Sequence, residues 1–195
     1  MRLNLGAKIR GFARLALRSE NRADAYHEMR RCILGEPNVP AGELRRFLVL
    51  CHGNICRSPY AASLLSQALP VGEVVSTGLF ASGGDAADST AVAVARDRGI
   101  CLEGHHSAST SSGQVEWADV ILVMEGRQAR EAVRRWPSSK NKIRVLGHYL
   151  SRRPFSIQDP WGQPNEAFER AFDQLDEAVS RFALLVGRST KSETE

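Results

Sequence analysis

The sequence predicts an α/β domain, a three-layer sandwich built on a four-stranded parallel sheet. Short apolar runs recur at residues 47–50, 73–76, 120–124 and 142–146, and stretches with helical spacing separate them. Strands that alternate with helices in this way pair in parallel, with helices on both faces of the sheet. A loop rich in glycine, asparagine and cysteine follows the first run, so we expect the functional site at that end of the sheet.

The composition is that of an ordinary folded protein. Hydrophobic residues make up 43% and charged residues 25% of the 195 residues, so we expect one domain with an appendage. No apolar run reaches the roughly 18 residues that a membrane span needs, and arginines interrupt each candidate secretion signal. The expected compartment is therefore the cytoplasm, where cysteines stay reduced.

The appendage, residues 1–44, differs from the rest of the chain in its charge. Residues 1–46 carry ten basic and five acidic residues, whereas the remainder is almost balanced. Residues 1–18 contain no acid and show helical spacing of apolar residues. Such a helix either packs against its own domain, lies on an anionic membrane surface, or serves as a transit peptide. We expect a second helix from Arg22 to Leu34, and then a linker over residues 35–42.

The predicted domain covers residues 45–187 and is followed by a disordered tail, residues 188–195. Its expected helices lie at residues 59–69, at residues 90–98, before Trp136 and at residues 166–186. Pro59 is expected at the first helical position, where its missing N–H costs nothing. Asp88 or Ser89 is expected to cap the second helix.

The loop after the first strand has the composition of an anion-binding site. Its sequence is Cys51-His52-Gly53-Asn54-Ile55-Cys56-Arg57-Ser58-Pro59. If the loop curls around an anion, the backbone N–H groups of residues 52–58 point inward, and the following helix adds its positive end. Arg57 supplies two parallel charge-assisted hydrogen bonds to a tetrahedral dianion. The pattern therefore favours phosphate as the ligand.

Cys51 is the candidate nucleophile of this loop. A helix N-terminus and a nearby guanidinium stabilise a thiolate, and a thiolate can attack phosphorus to form a thiophosphate intermediate. Ser58 would donate a hydrogen bond to the thiolate and help it to leave in the second step. A lone cysteine at a strand end is otherwise most simply a small buried residue, and the rest of the loop argues against that interpretation here.

The segment Cys51–Pro59 resembles the signature of the low-molecular-weight protein tyrosine phosphatases, in which Cys-x-Gly-Asn-x-Cys-Arg-Ser-Pro follows the first strand. The resemblance continues through Ser76-Thr77-Gly78, through residues 99–105 and through Asp159-Pro160-Trp161. It covers about residues 45–187. The implied activity is hydrolysis of phosphotyrosine monoesters by a phosphoric monoester hydrolase, without a cofactor or metal.

The same resemblance assigns roles to further residues. Asp159 is the implied general acid that protonates the leaving phenolate, and Ser76 and His105 join Asn54 in a polar network that supports the loop. Trp161 and Phe80 are candidates for the walls of an aromatic pocket. Cys56 is implied to form a reversible disulfide with Cys51. His52 departs from the family, where an aliphatic residue is usual, and Gly162 after Trp161 resembles bacterial members.

Three alternatives stay open at this point. An arsenate reductase shares the fold and loop, but its chemistry needs further cysteines, and the relevant region offers Cys101 alone. A protein-arginine phosphatase is another relative, although Ile55 stands where those enzymes tend to carry threonine. A non-catalytic anion-binding or membrane-docking module would use the basic N-terminus.

The implied partner is a phosphotyrosine-containing protein, and by analogy with bacterial relatives it is a tyrosine kinase. No nucleic-acid partner is expected. The location expected from the sequence is cytoplasmic, with the surface-binding interpretation of residues 1–44 adding a peripheral contact with a membrane.

Overall fold

The fold was determined from a computed structural model that describes residues 22–40 and 42–191. Four strands form the sheet, β1 (Arg46–Cys51), β2 (Glu73–Gly78), β3 (Val120–Val123) and β4 (Ile143–Val145), in the order β2-β1-β3-β4. Every neighbouring pair is parallel. The predicted fold class is therefore confirmed, and β1 lies in the middle of the sheet with its carboxyl end leading into the cysteine loop.

The described helices are α1 (Arg22–Leu34), α2 (Arg57–Ala68), α3 (Ser89–Asp97), α4 (Ser112–Trp117), α5 (Gly126–Arg135) and α6 (Asn165–Lys191). Two 3₁₀ helices, Pro137–Asn141 and Leu146–Tyr149, flank β4. The bounds of α1 agree with the prediction, and α4 was not predicted. The predicted helix over residues 1–18 lies outside the described residues.

Two predicted helix ends differ from the structure. Helix α2 begins at Arg57, so Pro59 is its third residue and not its first. Proline is tolerated there because the first four N–H groups of a helix have no intrahelical partner. Helix α6 continues past residue 186 to Lys191, into the part that we expected to be disordered. Asp88 caps α3, accepting hydrogen bonds from the backbone N–H groups of Thr90 and Ala91.

The sheet separates two hydrophobic clusters, because alternate residues of a strand point to opposite faces. Phe47 and Val49 of β1 join a cluster that includes residues of α2, α3 and α6. Leu48 and Leu50 join a second cluster that includes residues of α4 and α5. The layers are thus helix, sheet and helix. No helix of the described part of the chain is long and apolar enough to cross a membrane.

Helix α1 packs against the domain. Ala25 and Glu28 are buried, and the Arg31 Nε donates to the backbone oxygen of His148 at 2.5 Å. Gly126, the first residue of α5, lies so close to α1 that an added Cβ would be 2.8 Å from the backbone oxygen of Ala23. The glycine therefore permits this close packing.

Candidate active site

The phosphate loop, residues 52–58, connects the end of β1 to the start of α2. Its backbone turns at Asn54, which has a φ of 58°. Asparagine tolerates this left-handed conformation better than most residues other than glycine do. Gly78 of β2 lies against the loop, since a Cβ there would be 2.9 Å from the backbone oxygen of His52 and 3.0 Å from the backbone nitrogen of Asn54.

Asn54 is the centre of the hydrogen bonds that hold the loop. Its Nδ2 donates to Ser58 Oγ at 2.9 Å and to Ser76 Oγ at 3.0 Å. Its Oδ1 accepts from the backbone N–H of Ala108 at 2.9 Å, and its backbone oxygen lies 2.7 Å from His105 Nε2. The structure thus brings together Asn54, Ser76 and His105, the three residues that the resemblance places in a supporting network.

The Cys51 side chain lies under this loop and is 3% exposed. Its Sγ lies 3.0 Å from Ser58 Oγ, and it accepts a hydrogen bond from the backbone N–H of Asn54 at 3.2 Å. The Cys51 sulfur therefore lies within hydrogen-bonding distance of the loop backbone and of the Ser58 hydroxyl.

Arg57 is fully buried, with 1% of its surface exposed, and carboxylates balance its charge. Its Nη1 donates to Glu125 Oε1 at 3.2 Å and to the backbone oxygen of Ile157 at 2.9 Å, and its Nη2 donates to Asp159 Oδ2. Its Nε has no partner among the described residues. A buried donor without a partner is costly, and an oxyanion held in the phosphate loop would satisfy it.

Comparison with known proteins agrees with this geometry. Residues 46–193 match the model of a family described as low molecular weight phosphotyrosine protein phosphatase. The chain belongs to this family. A probable low molecular weight protein-tyrosine-phosphatase, EpsP of Ralstonia solanacearum, is 40% identical over 136 residues, which is 70% of this chain and 92% of that protein.

Two further relatives show the range of the family. A protein-arginine-phosphatase of Geobacillus stearothermophilus is 37% identical over 139 residues, covering 71% of this chain and 93% of that protein. The crystal structure of the tyrosine phosphatase Wzb from Escherichia coli K30 in complex with sulphate has a TM-score of 0.69 and 35% identity, and covers 72% of this chain and 97% of that one. The family makes the protein a phosphoric monoester hydrolase.

One buried residue of this phosphatase site was missed from the sequence. Glu125 is 1% exposed and contacts both Arg57 and Arg127, the latter at 3.0 Å. A signal was available, because Glu125 follows the apolar run of residues 120–124, and polar residues at the carboxyl ends of parallel strands line sites in α/β folds.

Phe80 and Trp161, the two predicted pocket residues, contact His52 and Asp159 respectively. The Phe80 ring stacks on the His52 ring with centroids 4.6 Å apart, and the Arg135 guanidinium lies 4.5 Å above the Phe80 ring. The backbone N–H of Phe80 also donates to the His52 oxygen at 2.9 Å. Trp161 is 64% exposed, and its backbone N–H donates to Asp159 Oδ1 at 3.3 Å.

Cys56, the second thiol of the loop, is buried and differs from Cys51 in its surroundings. Burial raises the pKa of the Cys56 thiol well above its usual range, and the nearby Asp88 carboxylate raises it further. Cys56 is therefore a poor nucleophile in the resting enzyme. Both cysteines are free thiols in the structure, and their reversible disulfide stays a prediction.

A cavity away from Cys51 is not the active site of this phosphatase. A cavity of about 1030 Å³ lies between α1 and the outer edge of β4, and among the described residues no cysteine or carboxylate lines it. Within the described ranges, no group of three or more His, Cys, Asp and Glu side chains is arranged to hold a metal ion. The chemistry is instead concentrated around Cys51 and Arg57.

Proposed function

We propose that the enzyme hydrolyses phosphotyrosine monoesters in proteins through a cysteinyl-phosphate intermediate. The observation that carries the proposal is the position of Cys51 Sγ inside the phosphate loop, 3.2 Å from the backbone nitrogen of Asn54. Arg57, at the end of the same loop, is buried and retains an unpartnered Nε. A nucleophile surrounded by donors to an oxyanion is the arrangement that phosphoryl transfer requires, because its catalysis is mainly positioning and electrostatic stabilisation.

In the first step, the Cys51 thiolate attacks phosphorus on the side opposite the phenolate oxygen. The S–P bond forms as the P–O bond to tyrosine breaks, and the Asp159 carboxyl gives its proton to the leaving oxygen. The loop amides and the Arg57 guanidinium bind the phosphoryl oxygens and stabilise their charge. Phosphoryl oxygens take over hydrogen bonds that Arg57 Nη2 makes to Asp159 in the structure, which releases Asp159 toward the leaving group.

In the second step, a water molecule attacks the phosphorus of the intermediate. The Asp159 carboxylate accepts a proton from this water, the S–P bond breaks, and inorganic phosphate forms. Ser58 Oγ, 3.0 Å from Cys51 Sγ, stabilises the departing thiolate with a hydrogen bond. Asp159 is thereby protonated again for the next turnover, and the reaction consumes one water without a cofactor.

The preference for an aryl phosphate is supported by the rim of the site. Phe80 and Trp161 are exposed aromatic residues, one on the loop that contacts His52 and the other two residues after Asp159. Aromatic rings stack with a gain of about 0.5–1.5 kcal/mol beyond the burial of their area. A tyrosine ring entering between such walls would place its phosphate over the loop.

Hydrolysis of phenyl phosphate and p-nitrophenyl phosphate by the parent, Cys51→Ser and Asp159→Ala proteins tests the mechanism. Cys51→Ser should have no measurable turnover. In kcat/KM, which reports the steps up to release of the phenolate, Asp159→Ala should lose about 10²- to 10⁴-fold on phenyl phosphate, and much less on p-nitrophenyl phosphate, whose leaving group is a far weaker base. Equal loss of kcat/KM on both substrates would contradict the role of Asp159 as general acid.

A second candidate substrate, phosphoarginine, is favoured by one observation, the 37% identity to the protein-arginine-phosphatase of Geobacillus stearothermophilus. Peptides of one sequence carrying phosphotyrosine, phosphoserine or phosphoarginine separate the two possibilities. We expect the highest kcat/KM for the phosphotyrosine peptide, because the rim of the site is aromatic. In Phe80→Ala, the ratio of kcat/KM for phosphotyrosine to that for the other peptides should be smaller. Faster hydrolysis of the phosphoarginine peptide would overturn the tyrosine assignment.

We further propose a bacterial tyrosine kinase as the protein substrate and a membrane surface as a contact of the N-terminal region. Supporting the second point, residues 1–46 carry ten basic against five acidic residues. Co-sedimentation with vesicles of anionic or neutral lipid tests it, with a variant in which Arg10, Arg14 and Arg18 are replaced by glutamine as the control. Equal binding of both proteins to both vesicles would contradict the membrane contact.

The kinase substrate is tested by incubating the enzyme with an autophosphorylated bacterial tyrosine kinase and measuring the loss of phosphotyrosine.

A further inference from the structure

Helix α1 lies outside residues 46–193, the part that matches the family, yet it contributes a buried carboxylate. Glu28 is 3% exposed. Burying an ionised carboxylate costs several kcal/mol unless partners compensate its charge. Its hydrogen-bond donors in the described part of the chain lie in one short segment: the backbone N–H of Phe155 donates to Oε1, and Arg153 Nε donates to Oε2 at 2.9 Å.

The segment that Glu28 holds leads directly to the proposed general acid. We define residues 153–161 as the acid segment. Within it, the backbone oxygen of Ile157 accepts from Arg57 Nη1 at 2.9 Å, and Asp159 accepts from Arg57 Nη2. The backbone N–H of Ile157 donates to the oxygen of Met124 at 3.1 Å. The acid segment is therefore fixed at its start by α1 and further along by the core and Arg57.

Helix α1 also contacts the other support of Arg57. Asp24 Oδ1 accepts from the backbone N–H of Arg127 at 2.8 Å in the first turn of α5, and α5 begins directly after Glu125, the carboxylate that pairs with Arg57. Burial raises the pKa of Asp24, and its hydrogen bond from the Arg127 backbone opposes that shift. One helix thus contacts both chain segments that orient the Arg57 guanidinium.

We propose that α1 is a positioning element for catalysis, in which Glu28 holds residues 153–155 so that Asp159 meets the leaving group. Glu28 is a positioning residue, since it touches neither Cys51 nor Arg57. The inference rests on the proposed role of Asp159 as general acid. It assigns a function to a helix that lies outside the part of the chain that matches the family.

The test uses leaving-group dependence, which a purely structural role would not change. In Glu28→Ala, the acid segment loses both contacts, and a displacement of about 1 Å at a catalytic group can cost up to 10²-fold. We expect kcat/KM, which reports the steps up to release of the phenolate, to fall about 10-fold or more on phenyl phosphate and about 2-fold or less on p-nitrophenyl phosphate. Glu28→Gln keeps one acceptor for the Phe155 N–H and should recover part of the loss.

The matched control is Glu36→Ala, which breaks the 2.5 Å ion pair between the appendage and Arg181 of α6 without touching the acid segment. Its ratio of kcat/KM values on the two substrates should equal that of the parent protein. Thermal unfolding will show whether Glu28→Ala folds. If it does not, Glu28→Gln is used for the test, and its activity on phenyl phosphate relative to p-nitrophenyl phosphate should fall in the same direction but by less.

A double variant separates the inference from the function on which it rests. If Glu28 acts through Asp159, Glu28→Ala combined with Asp159→Ala should be no slower than Asp159→Ala alone, whereas independent effects would multiply. A changed leaving-group ratio in Asp159→Ala with an unchanged ratio in both Glu28 variants overturns the positioning role and leaves the mechanism intact. An unchanged ratio in all of these variants overturns both.

Discussion

The phosphate loop and the acid segment meet at Arg57, but they are held in place differently. The loop, residues 52–58, is organised by one of its own residues, Asn54, through four hydrogen-bond partners on nearby strands and loops. The acid segment, residues 153–161, makes its described contacts to Arg57, to Met124 and to Glu28 of α1. The residue that organises the catalytic loop thus belongs to the loop itself, whereas the residues that hold the acid segment lie elsewhere in the chain.

Substitutions in the two regions are therefore expected to have different effects on catalysis. A substitution in the loop alters nucleophile and phosphate binding together, because the same atoms hold Cys51 and surround the anion. A substitution at the anchors of the acid segment leaves phosphate binding in place and alters protonation of the leaving group. The two classes of defect can therefore be separated by kinetics on substrates that differ in leaving group.

The largest effect is expected at Arg57, where the regions meet. Lysine carries one compact charge and cannot replace the planar fork that bonds Glu125, Ile157 and Asp159 together. Arg57→Lys should lower kcat/KM for p-nitrophenyl phosphate by about 10²- to 10³-fold, the typical loss when one stabilising donor is removed. Steady-state kinetics on the parent and Arg57→Lys proteins measures it, with exposed Arg134→Lys as the control. A variant with a tenth of the parent activity would show that charge alone suffices.

The second effect isolates the loop. Asn54→Ala removes a side chain that makes three hydrogen bonds, to Ser58, Ser76 and Ala108. It leaves the Ala108 N–H without its acceptor, and a donor left unpaired in a buried position costs about 1–3 kcal/mol. Alanine also tolerates a φ of 58° less well. We expect a loss of stability in urea unfolding together with an equal loss of kcat on both aryl phosphates. A leaving-group-dependent loss would contradict the separation of the two regions.

The contrast between the regions also explains what could be predicted from the sequence. The segment Cys51–Pro59 consists of nine contiguous residues behind an apolar strand, so the position and chemistry of the phosphate loop could be predicted from neighbouring residues. The Arg57–Asp159 contact joins residues 102 positions apart and that of Glu28 with Phe155 joins residues 127 positions apart. No spacing rule links such pairs, and Asp159 was reached through resemblance alone, while Glu28 was not reached.

The elements of the fold follow the same principle. The strands and α1 were predicted near their observed bounds because each has a continuous local pattern. Helix α4 was missed, although Ser111 and Gln114 form a capping box at its start, since six residues are too few to show a helical period. The close packing of α1 on α5 could not be predicted, because the space beside Gly126 depends on which helix lies opposite it.

The third effect tests that packing. Gly126→Ala would place a Cβ 2.7 Å from His27 Cδ2 and 2.8 Å from the Ala23 oxygen, so α1 must shift. Overpacking of this kind costs about 1–3 kcal/mol, which urea unfolding can measure. Gly113→Ala in α4 is the matched control, since its nearest neighbour lies 4.0 Å away and alanine favours helix. Equal stability of Gly126→Ala and the parent would show that α1 is loosely docked.

The smallest effect concerns the pH dependence of stability at the same interface. Burial lowers the pKa of His148 to about 3, and the neighbouring His27 and Arg31 contribute to this shift. The His27 ring lies 5.3 Å from that of His148, and burial lowers its pKa as well. His148 therefore stays neutral in the folded protein above about pH 3, while the histidines of the unfolded chain titrate near 6.5.

The sign of the effect follows from proton binding. Below pH 6.5 the unfolded state binds more protons than the folded state, so stability falls as the pH falls toward the folded pKa. His148 lowers the free energy of unfolding by up to about 1.4 kcal/mol per pH unit, with the full slope reached well below pH 6.5. Between pH 7 and pH 5, before the carboxylates titrate, urea unfolding of His148→Gln should show a shallower slope than the parent, whereas exposed His106→Gln should keep the parent slope. An unchanged slope in His148→Gln would show that the interface with α1 opens to water, and that the anchor of the acid segment is looser than that of the phosphate loop.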